Sequence, residues 1–349
     1  MKRIMTLIAG VFGMAVFFLL AGPVSAGDIT NLAGDMPTDP IGGITGMAIL
    51  VNATAINGLF TSLKATFNKA FAGAESQWKE TAMLVPSTTK QNDYAWLSNF
   101  PKMRKWIGDK VVKALSAFSY TIVNEDFEAT VEVDRNDIKD DDLGIYGIQA
   151  QDAGMSAKEL PDEIVTELKD KAFESECFDG QYFYDTDHVV AGASISNKLT
   201  VPLSAASVAA AKASWGAAKD MMAGFTDDEG RPLGLRPNIL EVGSALEETA
   251  KLLATGDKLE DDSPNPYKGT IKVVVNDRLL SGTQWMAHCT KRAVKPFVYQ
   301  EREKPSFVSQ TNMDSDDVFM RKKYKFGAEA RAAGGYGLWQ LSVGSTGAG

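Results

Sequence analysis

The sequence predicts an α+β fold. Apolar residues recur at helical spacing in 53–71 and 160–172. They alternate with charged residues at strand spacing in 120–135 and 323–331. Between about 190 and 283, short helix-like and strand-like segments follow one another. The chain has 349 residues, 44% of them apolar and 23% charged, which is ample material for a buried core. Its formal charge of -9 disfavours wrapping of nucleic acid, which needs clustered Lys and Arg.

Taken in order, the chain opens with Lys2 and Arg3, an apolar run Ile4–Ala21, and small residues at Val24 and Ala26. This is the pattern of a secretory leader (1–26), and the run is short for a membrane span. The two cysteines, Cys177 and Cys289, point the other way: they form no disulfide framework and read as buried thiols of a reducing compartment. Residues 27–46, rich in Gly, Pro, Asp and Thr, read as a linker. Ile56, Leu59, Phe60, Leu63, Phe67 and Phe71 then share one helical face, with Lys64 and Lys69 off it.

From Leu84 to Asp142 the texture is half polar. Ile122, Phe127, Ala129, Val131 and Val133 are spaced as strands around a turn at Asn124–Asp126, too thin to form a core of their own. Leu160, Ile164, Leu168 and Ala172 mark a helix, with Pro161 suited to its first position and Asp162 and Glu163 to its first turn. Ser204–Met222 reads as helix, "TDDEGRPLG" as a turn, "NILEV" as a strand, Ser244–Ala254 as a helix stopped by Gly256, and "TIKVVVN" as a strand. Near the C-terminus, Tyr324, Phe326, Ala328 and Ala330 share one strand face, and Lys323, Lys325, Glu329 and Arg331 the other. Gly334 and Gly335 fit a turn into a last strand at Leu338–Leu341.

Chemistry is sparse. "CFDGQYFYDTDH", Cys177–His188, gathers three aspartates, one of two histidines and one of two cysteines. In a strand Asp185 and Asp187 point one way and His188 the other, so the stretch reads as a turn whose aspartates cap backbone N–H groups, and no metal or cofactor is expected. A nucleophilic pair would need Cys177 or Cys289 with His188 or His288, and the last two neighbours face opposite sides of a strand. Nucleophile-elbow and phosphate-loop motifs are missing from the sequence, and no catalytic residue is assigned. Charge is partitioned: Glu125–Asp142 is acidic and Lys291–Arg331 basic, as two solvated faces or as patches that meet between copies.

Several long stretches carry a resemblance. "VPSTTKQNDYAWLSNFPKMRKWIGDKVV" (Val85–Val112), "YTIVNEDFEATVEVDRNDIKDDDLGIYG" (Tyr120–Gly147), Cys177–His188, "KPFVYQEREKPSFVS" (Lys295–Ser309) and "VFMRKKYKFGAEARAAGGYGLWQ" (Val318–Gln340) resemble the major head subunit of Mu-like phages and prophages. The resemblance runs from about Met47 to Gly344, with Ser204–Pro266 generic. It implies an HK97-like major capsid fold: N-terminal arm (47–83), extended β-hairpin loop (84–135), peripheral domain with a spine helix (136–189 and 284–344) and axial α/β domain (190–283). It implies a structural protein, not an enzyme, that forms pentamers and hexamers of itself and closes into an icosahedral shell. The shell holds DNA without sequence-specific binding, uses a scaffold and a maturation protease, and needs no membrane. The expected location is the virion, after assembly in the host cytoplasm.

A leader would be useless there, so residues 1–46 read as a misassigned start or an unrelated upstream reading frame, with a genuine leader or a removable assembly segment as the alternative. Glu125, Asp126, Asp140, Asp141 and Asp142 are expected to meet Lys322, Lys323, Lys325 and Arg331 of neighbouring copies. The competing functions are an encapsulin-like cargo shell and, from another class, an exported metal-binding enzyme or binding protein.

Overall fold

The computed structural model describes residues 53–94, 120–139, 144–312 and 314–348. The leader, the linker, residues 47–52 of the arm, residues 95–119 of the extended loop, and Asp140, Asp141 and Asp142 lie outside the described residues.

Helix α1 (Ala53–Gly73) forms where the helical spacing predicts it. Ile56, Phe60, Leu63 and Phe67 are buried. Phe60 meets Tyr324 and Phe326 edge-on at 6.1 and 6.2 Å, and Phe67 lies 5.6 Å from Phe307. A single turn at Trp78–Glu80 leads to β1 (Ala82–Pro86), β2 (Gln91–Asp93), β3 (Thr121–Val123) and β4 (Glu125–Asp134). The break between β3 and β4 is Asn124 alone, tighter than the expected turn. Its side-chain amide donates to Ser87 Oγ and the Thr89 carbonyl, and its oxygen accepts from Gln300 Nε2.

A short α2 (Arg135–Lys139) precedes α3 (Gly144–Asp170), a rod of 27 residues with Pro161 inside it. The sequence reading places the start at Pro161, which is a correction. Proline removes only the bond to the Ala157 carbonyl. Ala150, Ala153, Ala157 and Ile164 are buried along one face and carry the helix past it. Asp162 does not cap α3. Its Oδ1 accepts the backbone N–H groups of Gln77 and Trp78 at 2.8 and 2.7 Å, tying the segment after α1 to the rod.

Next come the hairpin β5 (His188–Val190) and β6 (Ala193–Ile195), turned by Ala191 and Gly192 at positive φ, and then β7 (Lys198–Leu199). The Ala-rich helix starts later than its composition implies, because Ser207 is the N-cap, its side chain accepting from the Ala210 N–H. It runs as α4 (Val208–Ala211), a π turn at Lys212–Gly216 and α5 (Ala217–Ala223). Then follow β8 (Ile239–Val242), a turn at Ser244–Leu246 opening α6 (Glu247–Thr255), β9 (Lys272–Val275) and β10 (Trp285–His288). The chain ends with β11 (Phe297–Gln310), α7 (Asp316–Arg321), β12 (Lys323–Tyr336), a turn at Trp339–Leu341 and β13 (Ser342–Ser345).

Two principal sheets result, with strand orders β1-β11-β12-β4 and β7-β13-β10-β8-β9. The first is built on the long antiparallel ribbon β11–β12, with β1 parallel to β11 and β4 antiparallel to β12. Thus the half-polar segment that needed a support finds it in β12 of its own chain. The second sheet spans the expected boundary at 283/284: β10 pairs with β8, and β13 with β7. Residues 190–283 therefore do not close a sheet without the C-terminal strands.

Gly334 and Gly335 are not a turn. They lie within β12, where a Cβ on Gly334 would sit 2.7 Å from Ile164 Cγ2 and Leu168 Cδ1, and one on Gly335 would overlap Ile122 Cδ1. They are glycine because α3 and β3 press on the strand. The last strand accordingly begins at Ser342, past the expected Leu338–Leu341. Gly334→Ala is expected to lower stability by about 1–3 kcal/mol through overpacking. Chemical denaturation measures this, and an unchanged midpoint would show that α3 does not press on β12.

Candidate functional site: charged ribbon face and buried polar network

The outer face of the β4–β12 pair carries the charges singled out in the sequence. Antiparallel register sets Arg331 opposite Asp126 and Lys325 opposite Glu132. The Arg331 guanidinium lies 2.5 Å from Asp126 Oδ1 and 3.6 Å from Glu303. Lys323 pairs with Glu132 at 2.7 Å and Lys325 with Asp317 at 2.7 Å. These hydrogen bonds hold the Glu132 and Asp317 carboxyls below their ordinary range. Lys322 is exposed and ends α7 with φ of 58°. Of the expected acidic–basic meetings, the structure makes Asp126–Arg331 inside one chain, since β4 is hydrogen-bonded to β12. Glu125 makes no ion pair among the described residues. Asp126 is 76% exposed, so water competes for the pair, and such contacts contribute about 0–1 kcal/mol.

The Cys177–His188 stretch is a closed turn. Asp179 Oδ1 accepts from Cys177 Sγ at 3.0 Å and from the Gln181 N–H at 3.2 Å, while its Oδ2 lies 2.7 Å from His188 Nδ1. Asp185 accepts the N–H groups of Tyr182 and Thr186, as expected of a capping aspartate. Phe183 and Tyr184 are fully buried, and the His188 ring stacks on Trp339 at 4.1 Å. Asp185, Asp187 and His188 do not converge. The ligand-type atoms that do lie within 4.8 Å of one another belong to Cys177, Asp179 and His188, the set able to hold a thiophilic ion. Burial and the adjacent Asp179 push the Cys177 thiol up, which favours the protonated, hydrogen-bonding form. Burial pushes Asp179 up as well, but the bonds from His188 and Cys177 outweigh it and hold this carboxyl below its ordinary value.

A second constellation is not singled out in the sequence. In β8 and β10, Glu241 stands opposite Met286, two residues from His288, so both polar side chains share a face. His288 Nε2 lies 3.1 Å from Glu241 Oε2, and Glu241 Oε1 accepts from Lys169 Nζ at 2.7 Å and Asn276 Nδ2 at 2.9 Å. On the other side His288 Nδ1 lies 2.9 Å from Ser342 Oγ, which shares a hydrogen bond of 2.6 Å with Tyr184 OH. Ser342, His288 and Glu241 form a Ser–His–acid chain, but with the two ring nitrogens exchanged relative to a hydrolytic triad. Moreover, Ser342, His288 and Tyr184 are each 0% exposed and Glu241 is neutralised by Lys169, so no substrate reaches the hydroxyl. The arrangement fastens α3 to the five-stranded sheet. The visible signal was one acid inside the apolar strand "ILEV" and one histidine inside "WMAHC".

Glu241→Gln leaves the Lys169 ammonium buried without its counter-charge, an expected cost of about 3–5 kcal/mol, whereas the double change Lys169→Met with Glu241→Leu recovers most of it. Equal losses in the two variants would contradict the pairing. Acid acts on the same network. Burial outweighs the pull of Glu241 and pushes His288 below its ordinary 6.5. The folded chain therefore binds fewer protons there than the unfolded one, and stability falls as pH drops below about 6.5. Burial opposes ionisation of Glu241, but Lys169 and His288 hold its pKa at about 2 against an ordinary 4.5, so its contribution is full above 4.5 and is lost as pH falls toward 2. Denaturant midpoints measured from pH 8 downward are expected to fall in these two windows, with His288→Gln flattening the upper one.

Comparison with known proteins now bears on these surfaces. The model of the family "Mu-like prophage major head subunit gpT" matches residues 56–215, 203–279 and 276–348. The major capsid protein of Escherichia phage Mu is 32% identical over 295 residues, covering 84% of this chain and 74% of that protein. The Mu-like prophage FluMu major head subunit of Haemophilus influenzae is 29% identical, covering 84% of this chain and 73% of its own length. Among solved structures, the procapsid of bacteriophage JBD30 matches with TM-score 0.52 and 32% identity, covering 84% of this chain and 76% of that one. The capsid of JBD30 matches with TM-score 0.52 and 29% identity, covering 66% and 99%. The fold is the HK97-like α+β capsid fold. The cargo-shell and exported-enzyme alternatives are not favoured by these relatives. The chain belongs to the Mu-like prophage major head subunit family.

Proposed function

We propose that copies of this head subunit associate as pentamers and hexamers, and that these rings close into an icosahedral shell around phage DNA. The observation that carries this reading is the similarity to phage capsid subunits across 84% of the chain. Rings of five and six need heterologous contacts, in which one patch of a copy meets a different patch of the next. Each contact is weak, and closure multiplies them. The net charge of -9 suits a container that holds DNA without gripping its phosphates. Assembly in the host cytoplasm, a scaffold and a maturation protease belong to the same reading, as does the division into arm, extended loop, peripheral and axial parts.

The charged ribbon supplies part of the contact surface. Glu125, Asp126 and the acidic run Asp140–Asp142 of one copy face Lys322, Lys323, Lys325 or Arg331 of another. The exposed pairs inside one chain are weak enough to be shared across copies. Expression followed by negative-stain electron microscopy tests the reading: closed particles or rings of five and six are expected, and a uniformly monomeric protein in the presence of its scaffold would contradict it. Charge reversal of Lys322 and Lys323 together is expected to lower particle yield and salt tolerance. Wild-type yield and tolerance would remove these lysines from the interface.

A further inference from the structure

Two features at one end of the β11–β12 ribbon remain without a role. The first is a protruding apolar pair. Helix α7 is anchored by Val318, which is 2% exposed and packs with Tyr324 and Phe326, while its neighbours Phe319 and Met320 are 79% and 74% exposed. The ion pairs of Asp317 with Arg321 and Lys325 brace the same turn, so the pair is held out on a rigid base. The second is an apolar groove between α1 and helices α2 and α3, lined by Leu59, Leu63, Thr66 and Ile138. Ile145 and Ile148, 54% and 63% exposed, lie on the same stretch of α3 as Gly147, which lines the groove. The Arg135 N–H donates to the Lys322 carbonyl at 2.9 Å, so α2, one wall of the groove, stands at the base of α7.

We propose that Phe319 and Met320 of one copy enter the α1–α2–α3 groove of a neighbouring copy. This rests on the head-subunit reading and names a contact within it. A second copy is the fitting occupant because one chain carries both halves of the contact at the same end. Each copy can then give its pair to one neighbour and receive a pair from another, the heterologous pattern that closes rings. Charge agrees: Asp314 and Asp316 beside the apolar pair are exposed and make no ion pair among the described residues, and Lys69 is exposed one turn past Thr66 on the groove side of α1. Phe319, Met320, Ile145 and Ile148 are exposed, so seating the apolar pair beside Ile145 and Ile148 removes from water apolar surface that is wetted in the single chain.

The test is disulfide trapping in assembled particles. Ser62, exposed on the groove, and Phe319 are both changed to Cys; native Cys177 and Cys289 are buried and do not compete. Oxidised particles of Ser62→Cys/Phe319→Cys are expected to give chains linked in series on a non-reducing gel, and either single variant none. Phe319→Asp is expected to abolish particles while the thermal unfolding of the subunit stays as in the wild type. Unlinked chains in well-formed double-variant particles, or wild-type particle yield from Phe319→Asp, would overturn the proposal and leave the head-subunit reading standing. A wild-type protein that forms no particles in the same experiment would sink both.

Discussion

An ionised carboxylate inside a sheet must have a cation beside it, and Glu241 sets that requirement for this fold. It sits in a strand whose four residues are all buried, and its counter-charge comes from Lys169 on α3. The last turn of the rod is therefore fixed against β8, and Asn276, bonded to both Glu241 and Thr166, repeats the tie one turn earlier. His288 and Ser342 extend it to β10 and β13, and the Tyr336 hydroxyl, donating to the Leu168 carbonyl at 2.8 Å, brings in the end of β12. Neither principal sheet can shift against α3 without leaving a charge or a polar group unpaired in the interior.

The same rod sets the composition of the ribbon. Where α3 and β3 lean on β12, the strand is Ala332, Ala333, Gly334 and Gly335, residues small enough for close approach. Farther out, where α1 covers it, the strand turns to Tyr324 and Phe326, which fill the wider gap with Phe60 and Phe307. One strand is thus thin at one end and thick at the other because its cover changes from one helix to another. The buried charges Lys169 and Glu241 find their partners inside one chain, and the outside carries exposed ion pairs and a few apolar side chains. That division suits a tile: rigid within, weakly adhesive at its edges, and dependent on multiplicity for a stable assembly.

Much of this was legible in the sequence. The α1 face, the alternation in β4 and β12, the strands β8 and β9 and the stop at Gly256 all follow from local periodicity and capping, and the structure agrees with each. The failures share one cause, which is contact between residues distant in sequence. Pro161 signals a helix start only if nothing else holds the helix together, and the face from Ala150 to Ile164 does so. Gly334 and Gly335 signal a turn only when no neighbour presses on them. Glu241 and His288, 47 residues apart, look unrelated until β8 pairs with β10. The two faces of the charged ribbon follow from alternation in the sequence, whereas the Asp126–Arg331 pair within the chain follows only from the β4–β12 register. The Cys177–His188 turn agrees with its reading as capping structure, with Asp179 and Asp185 accepting backbone N–H groups.

The central claim is that α3 and the two sheets move as one body, clamped by the Lys169–Glu241–His288 network. A three-dimensional reconstruction of assembled particles tests it most directly, because the same chain must then occupy non-equivalent positions. The clamp predicts that α3, the ribbon and the five-stranded sheet superpose between those positions with the Lys169–Glu241 contact intact. Subunits in which α3 swings against β8, with that contact broken in one position and kept in another, would contradict it.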